Sequence, residues 1–173
     1  MSEAIRLVDQ ILDEHKKIGE DFKSLEGVSG DVEAAAKLAG ERVKGDFVPL
    51  SLDDHGEGLR RWMEQLEALE KGLKAHFKRE ETGLAEAFKH EGTPALVKAL
   101  DELLSEHAEL IRHIEKLRSD ADAIATGGMR IEVWEGKGWG MKYNIEKLRQ
   151  DLFAHAEREN DLFTRLKSHM KKS

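Results

Sequence analysis

The sequence predicts an all-α protein: an antiparallel up-and-down four-helix bundle, formed by a single domain of residues 1–173, with a short extra helix between helices 1 and 2. The length is that of about one domain, and only two prolines interrupt a composition rich in helix-forming residues. Apolar residues recur every three or four positions along four long segments. Amphipathic helices joined by mostly short connections pack as a bundle.

Helix 1 is predicted over about residues 3–26. Its apolar stripe contains one polar member, His15. Gly27 and Gly30 are predicted to end this helix, because glycine weakens a helix interior. The Ala-rich segment 31–43 then forms the short extra helix.

Helix 2 is predicted over about residues 52–89, after a connector at 45–50 that contains Pro49. Its apolar stripe includes His76 and Glu80, which are four residues apart and therefore lie on one face, one turn from each other.

Helix 3 is predicted to start at Pro94, with Thr93 as its N-cap, and to be closed by Gly127 and Gly128. Its stripe carries His107 as the polar member.

Helix 4 is predicted over about residues 141–170, after a glycine-rich loop at 129–140. His155 and Glu159 on its stripe repeat the spacing of the pair in helix 2. We expect the loop tryptophans, Trp134 and Trp139, to pack under the loop.

The composition excludes several classes of protein. A net charge of −7 argues against binding nucleic acid or an acidic membrane surface, and no window is apolar enough for a membrane span. The absence of cysteine excludes thiolate metal sites, disulfides and thiol catalysis. The N-terminus lacks the apolar segment of a signal peptide, so we expect a soluble cytoplasmic protein.

Six polar residues interrupt the four apolar stripes, and the helix pattern directs them toward one interior level. Burying them without partners would cost several kcal/mol, whereas a bound metal would satisfy them together. They exceed what one tetrahedral zinc ion uses and suit two octahedral ions bridged by the two glutamates. Iron is the first choice, manganese or zinc are other possible occupants, and a metal-free polar core is the alternative. The predicted metal ligands are His15, His76, Glu80, His107, His155 and Glu159.

This arrangement, with single histidines on helices 1 and 3 and a His-x3-Glu pair on helices 2 and 4, resembles the hemerythrin-like family, also called the HHE cation-binding domain. The resemblance extends over about residues 5–168. It implies a non-haem centre of two iron ions with an oxo or hydroxo bridge. In that centre Glu80 and Glu159 are the bridging carboxylates, and the histidines are terminal ligands.

Two positions depart from the oxygen-carrying members of that family. Those proteins have a second histidine one turn after the helix 3 ligand, where this chain has Ile111. They also end with His-x4-Asp, where this chain has Asn160. Glu159, at the shorter spacing, is similar to the bacterial and iron-sensing branch.

The resemblance leaves several functions open. The first hypothesis is a protein that binds or senses O2, a related small ligand such as NO, or iron itself. It is favoured over enzymatic activity because the sequence shows no recognisable general acid, nucleophile or substrate pocket. The alternatives are a di-iron enzyme that acts on NO or peroxide, an iron donor in repair of iron-sulfur clusters, and a bundle that needs metal only to fold.

Other histidines and one further glutamate are weaker candidates. His55 would lie about 31 Å from His76 along a continuous helix, so it could be a ligand only if the helix breaks at Gly56 or Gly58. Glu81 points away from the ligand face, and we expect it to support a ligand or to face solvent. Three further histidines are predicted to lie on the surface: His90, His113 and His169.

Overall fold

The protein is an all-α bundle, as the sequence predicts. A computed structural model describes residues 3–40, 46–47 and 56–171, with side chains described for residues 3–29 and 59–171. Bundle helix 1 is α1 (Glu3–Gly40). Bundle helix 2 comprises α2 (Gly56–Arg79), a π-helical turn (Glu80–Leu84) and α3 (Ala85–Glu91). Bundle helix 3 comprises α4 (Pro94–Leu104) and α5 (His107–Thr126), and bundle helix 4 is α6 (Ile131–Met170).

Each bundle helix packs against two others, so that the four enclose one interior. Contacts join α1 with α2, α2 with α5, α5 with α6, and α6 with α1. This closed order is that of an up-and-down bundle whose consecutive helices are neighbours. Thr93 accepts a hydrogen bond from the backbone N–H of Leu96 at 3.3 Å, and Pro94 is the first helical residue, which confirms the predicted start of bundle helix 3.

The predicted short extra helix is wrong as a separate element, because α1 continues through Gly27 and Gly30 as one helix to Gly40. Two glycines each cost a helix about 1 kcal/mol relative to alanine. Packing outweighs that cost here. Ser29 is buried between them, and its hydroxyl accepts a 2.8 Å hydrogen bond from the indole N–H of Trp62 on α2.

The predicted start of helix 2 at residue 52 and the proline connector at Pro49 lie outside the described residues. Within the predicted connector, β1 (Asp46–Phe47) pairs antiparallel with β2 (Met129–Arg130), and each strand has two residues. The bridge therefore joins the segment after bundle helix 1 to the segment before bundle helix 4.

The predicted glycine-rich loop at 129–140 is also wrong, because α6 begins at Ile131, ten residues before the predicted start of helix 4. Trp134 explains the difference. Its indole is 3% exposed and donates a 2.9 Å hydrogen bond to the backbone carbonyl of Ile124 at the end of α5. Trp139 is 54% exposed, so only one of the two tryptophans packs as predicted.

The interior is divided into two apolar clusters. The larger lies toward the C-terminal half of α1 and includes Leu66, Ile114 and Leu148. The smaller lies toward the N-terminus of α1 and includes Val8 and Phe88. Between them, five buried polar or charged residues interrupt the core, so the polar level is closed above and below by apolar side chains. Among the described helices, none has the length and apolar character of a membrane span.

Replacing Leu66 by Ala should lower the free energy of unfolding by about 2–5 kcal/mol, because its side chain is fully buried in the larger cluster. Val133→Ala is the control, since Val133 is 49% exposed and should change stability by less than about 0.5 kcal/mol. Urea denaturation of the metal-free variants measures both. Similar losses at the two positions would contradict this assignment of the core.

Candidate metal centre

All six predicted ligand residues meet at the polar level between the two apolar clusters. The three imidazoles of His76, His107 and His155 are about 2% exposed, and both glutamates are fully buried. The side chain of His15 is 11% exposed. Each of the four bundle helices therefore supplies one imidazole, and bundle helices 2 and 4 each add a carboxylate.

The six side chains form two overlapping groups, each of which could hold a metal ion. In each group the candidate ligand atoms lie within 4.8 Å of one another. The first group contains His15, His76, Glu80 and Glu159. The second contains Glu80, His107, His155 and Glu159. Both carboxylates belong to both groups.

Glu80 divides its two oxygens between the two pairs of imidazoles. Its Oε1 lies 3.2 Å from Nε2 of His76 and 3.8 Å from Nε2 of His15. Its Oε2 lies 3.3 Å from Nε2 of His107.

Glu159 does the same from the opposite helix. Its Oε2 lies 3.2 Å from Nε2 of His15, and its Oε1 lies 3.2 Å from Nε2 of His155. Each carboxylate thus presents one oxygen to each side of the centre.

Two irregularities of the backbone occur at the level of the site. Bundle helix 2 widens into its π-helical turn at Glu80, and bundle helix 3 is interrupted between Leu104 and His107. Single π-helical turns inside α-helices are frequent at functional sites, because the extra residue redirects the side chains that follow. At Gly83 in the π-helical turn, an added Cβ would lie 3.1 Å from Leu7 Cδ2, so glycine permits the close approach of α1.

Each imidazole also has a hydrogen-bond partner on the side away from the centre. An Nδ1–H that donates outward leaves Nε2 as the lone pair that faces inward, so these partners select the tautomer that a metal needs. The partners are Glu14 Oε2 for His76 at 2.9 Å, Glu81 Oε1 for His107 at 3.0 Å, Glu106 Oε2 for His155 at 3.0 Å, and Asn160 Oδ1 for His15 at 3.4 Å.

These four outer acceptors follow one rule around the bundle. Each is adjacent in sequence to a candidate ligand on one bundle helix and accepts a hydrogen bond from the imidazole on the following bundle helix. Glu14, for example, is adjacent to His15 and accepts from His76. The fourth, Asn160 beside Glu159, supports His15 and closes the circle. The expected supporting role of Glu81 agrees with this arrangement. Sequence analysis missed Glu14 and Glu106, although their positions next to ligand histidines were a usable signal.

Two of the outer carboxylates, Glu14 and Glu106, are kept ionised by arginines. Arg79 contacts Glu14 at 2.9 Å, and both nitrogens of the Arg158 fork reach Glu106 at 2.5 Å. Partial burial would raise the pKa of each carboxyl, but hydrogen bonds from the histidine and the arginine lower the pKa of Glu14 and of Glu106. Ionised acceptors bind the imidazole N–H more strongly than neutral ones do.

In the metal-free centre the inner groups share protons unequally. Burial, together with repulsion from Glu159, raises the pKa of Glu80 to about 7. Burial opposes the ionisation of Glu159, yet the imidazoles of His15 and His155, each 3.2 Å from one of its oxygens, lower its pKa to about 2. Burial would lower the pKa of His15, but the two glutamates raise it to about 9. Burial lowers the pKa of His76 to about 4.

The residues present fit a metal centre because several buried atoms lack a hydrogen-bond partner. Both oxygens of Glu80, both oxygens of Glu159 and Nε2 of His15 are in this condition. An unsatisfied buried polar atom costs about 1–3 kcal/mol, and charged ones cost more. A cation at each side would satisfy all five atoms. Nitrogen and oxygen donors of this kind suit iron, manganese or zinc.

Of the remaining histidines, those that the structure describes do not join the centre. His55 lies outside the described residues. His90 is exposed, and His113 and His169 are partly exposed, so none of the three is a core residue.

A four-helix bundle with a buried centre of imidazoles and carboxylates defines a class of helical cation-binding proteins. Within that class, the chain belongs to the family described as the hemerythrin HHE cation binding domain, whose family model matches residues 6–166. No curated protein and no solved structure gives a significant match to the chain. Membership of this family establishes cation binding as the expected property of the site.

Glu106→Ala should weaken metal binding by about 10- to 100-fold, because His155 loses the acceptor that orients it. Glu109→Ala is the matched control, since Glu109 also pairs with an arginine on the protein surface but contacts no candidate ligand. Metal affinity measured by competition with a chelator decides the matter. Equal affinities in the two variants would show that the outer acceptors do not support the centre.

The metal-free protein should lose stability as the pH rises from about 6 to about 9. The proton on Glu80 contributes stability below pH 4.5 that is lost as the pH approaches 7, and the proton on His15 contributes stability below pH 6.5 that is lost by about 9. The metal-loaded protein holds cations in place of these protons, so its advantage in Tm over the metal-free protein should widen across this range.

Thermal unfolding with and without a chelator at pH 6, 7.5 and 9 measures that difference. In Glu80→Gln, which cannot release the carboxyl proton, the Tm of the metal-free protein should fall less. A metal-free wild-type protein whose Tm stays constant or rises over this range would contradict the proposed proton inventory.

Proposed function

We propose that this protein holds two iron ions bridged by Glu80 and Glu159, and that the centre binds or senses O2 or a related small ligand such as NO. One observation carries the proposal. Each of the two buried carboxylates offers one oxygen to the His15 and His76 side and the other to the His107 and His155 side. A single ion on one side would leave the other oxygen of each carboxylate, which faces the opposite pair of imidazoles, without a cation.

The number of donors leaves room for a small ligand. Each ion would receive two imidazole nitrogens and two carboxylate oxygens. With a shared oxygen bridge, about one of the six positions on each octahedral ion stays open. One open position on each ion would be sufficient for a diatomic molecule.

When bound, the iron pair supplies adjacent Lewis-acid and redox centres. The protein supplies position and environment. The imidazoles are fixed by their outer acceptors, and the two glutamates set the distance between the two sides. The ring of Phe77 stacks on His107, with centroids 4.0 Å apart and planes 14° apart, and so keeps water from one face of that imidazole. Apolar clusters on both sides lower the local dielectric and strengthen the charge interactions of the centre.

Binding or sensing is favoured over catalysis by the engagement of the nearby acids. The outer carboxylates of Glu14, Glu81 and Glu106 each accept a hydrogen bond from an imidazole, and the two inner carboxylates face the candidate metal positions. A carboxylate committed in this way is a poor general acid. Iron sensing is compatible with the same centre, because ligands from all four bundle helices meet there and metal binding therefore stabilises the whole bundle.

A second candidate function is that of a di-iron enzyme that reduces NO or peroxide. Ile111 favours it. This side chain, one turn after His107, packs partly buried against the larger apolar cluster and supplies no additional nitrogen to that side of the centre. An ion held by His107 and His155 would then keep an open coordination position, which could serve the reduction of NO or peroxide.

The purified protein should contain close to two irons per chain, and His76→Ala should lower that content to one or less. His113→Ala is the matched control, because His113 lies on α5 away from the centre and should leave the iron content unchanged. Metal analysis together with the visible absorption of the aerobically purified protein measures both. Full iron content in His76→Ala would contradict the proposed ligand set.

Anaerobic reduction followed by addition of O2 or NO separates the two functions. Rapid binding that reverses when the gas is removed, without consumption of the ligand, is the expected result. Steady-state consumption of NO or peroxide with an electron donor would instead support the enzyme. No spectral response to either gas, together with no consumption of NO or peroxide, would contradict both.

A further inference from the structure

A cavity of about 350 Å³ lies against the centre, between α1, α2 and α6. Its floor is formed by the imidazoles of His15, His76 and His155. The cavity therefore adjoins the side of the centre where the most exposed ligand, His15, is found.

The cavity is much larger than a diatomic ligand needs. A cavity of about 150 Å³ already binds benzene, and pockets for organic ligands begin at about 300 Å³. Its volume therefore matches an organic molecule of about one aromatic ring with a short side chain.

The walls are apolar. They include the buried side chains of Phe22, Leu73 and Phe77, together with Leu152 from α6. Removal of a ligand's apolar surface from water against such walls is favourable, whereas a polar ligand would find few hydrogen-bond partners there.

The charged residues at the rim do not favour an anion. Lys16 pairs with Asp13 at 2.9 Å, and Arg149 pairs with Glu26 at 2.7 Å. Glu157 adds a carboxylate to the same rim. A fatty acid or another carboxylate would find both rim cations already engaged. On the floor, His15 Nε2 already lies beside the carboxylates of Glu80 and Glu159, so the electrostatics favour a neutral molecule.

The mouth of the cavity is shaped by Phe153 and Gly19 on facing helices. Phe153 is 44% exposed, and its ring lies so close to α1 that a Cβ added at Gly19 would be 3.3 Å from its Cζ. Glycine at position 19 therefore lets the phenyl ring rest against the helix backbone. An exposed phenylalanine is ordinary on a protein surface, but here the ring covers part of an apolar entrance.

We propose that this cavity binds a neutral, largely apolar organic molecule beside the centre. Binding itself requires only the cavity, but the role of the bound molecule, as a ligand or substrate presented to the iron ions, rests on the proposed function. The proposal extends the chemistry of the site from diatomic gases to small organic compounds.

Toluene and indole are suitable neutral probes, and octanoate is an anionic probe of comparable apolar content. Calorimetric titration of the purified protein, with its metal content measured on the same sample, should show saturable one-to-one binding of a neutral probe. Octanoate should bind at least tenfold more weakly. Absence of saturable binding of both neutral probes, or preference for octanoate, would overturn the proposal.

Ile18→Trp should weaken probe binding at least tenfold, because Ile18 lines the cavity and the larger ring would occupy it. Met63→Trp is the matched control: Met63 packs partly buried on the same apolar cluster but does not line the cavity, so affinity should change less than twofold. Gly19→Leu provides a second test at the mouth and should also weaken binding, even if the tryptophan variant fails to fold. Unchanged affinity in a folded Ile18→Trp or Gly19→Leu would show that the probe binds elsewhere.

These results separate the two proposals. Probe binding in a protein that takes up no iron when iron is supplied would support the cavity and contradict the di-iron function. Two irons without probe binding would do the reverse.

Discussion

The structure depends on the burial of two carboxylates among four imidazoles, at one level between two apolar clusters. Glu80 and Glu159 have no exposed surface, and their oxygens have no hydrogen-bond partner. Two negative charges in such a place would repel each other and destabilise the fold. A positive charge between the two carboxylates attracts both and so offsets their repulsion. The imidazoles determine where that charge can lie. The rest of the bundle positions these six side chains.

The outer acceptors extend this constraint from the core to the surface. Three imidazoles are backed by glutamates, of which two are held by arginines, whereas His15 has an amide partner at the longer distance of 3.4 Å. The centre is therefore asymmetric. The side that contains His15 has the weaker support, the greater exposure and the adjacent cavity. These three features coincide on the side where an incoming molecule could reach the centre.

Much of this arrangement could be predicted from sequence, because helix periodicity fixes which side chains share a face. The spacing of His76 and Glu80, repeated by His155 and Glu159, placed all four residues in the core. Local propensity misled at glycines: Gly27 and Gly30 lie within α1, and the glycines between Ile131 and Met141 lie within α6. At both places, tertiary contacts of Trp62 and Trp134 outweigh the cost of glycine in a helix. Sequence alone shows only that cost and therefore predicts helix ends at these glycines. The π-helical turn, the outer acceptors on neighbouring helices and the cavity depend on distances between elements, which periodicity does not supply.

The central claim is that two cations lie between the two carboxylates, one beside each pair of imidazoles. Anomalous diffraction at the iron edge from crystals of the iron-loaded protein tests it most directly. The account predicts two peaks no more than about 4 Å apart, one beside His15 and His76 and the other beside His107 and His155. A single peak, or peaks outside this level of the bundle, would contradict it.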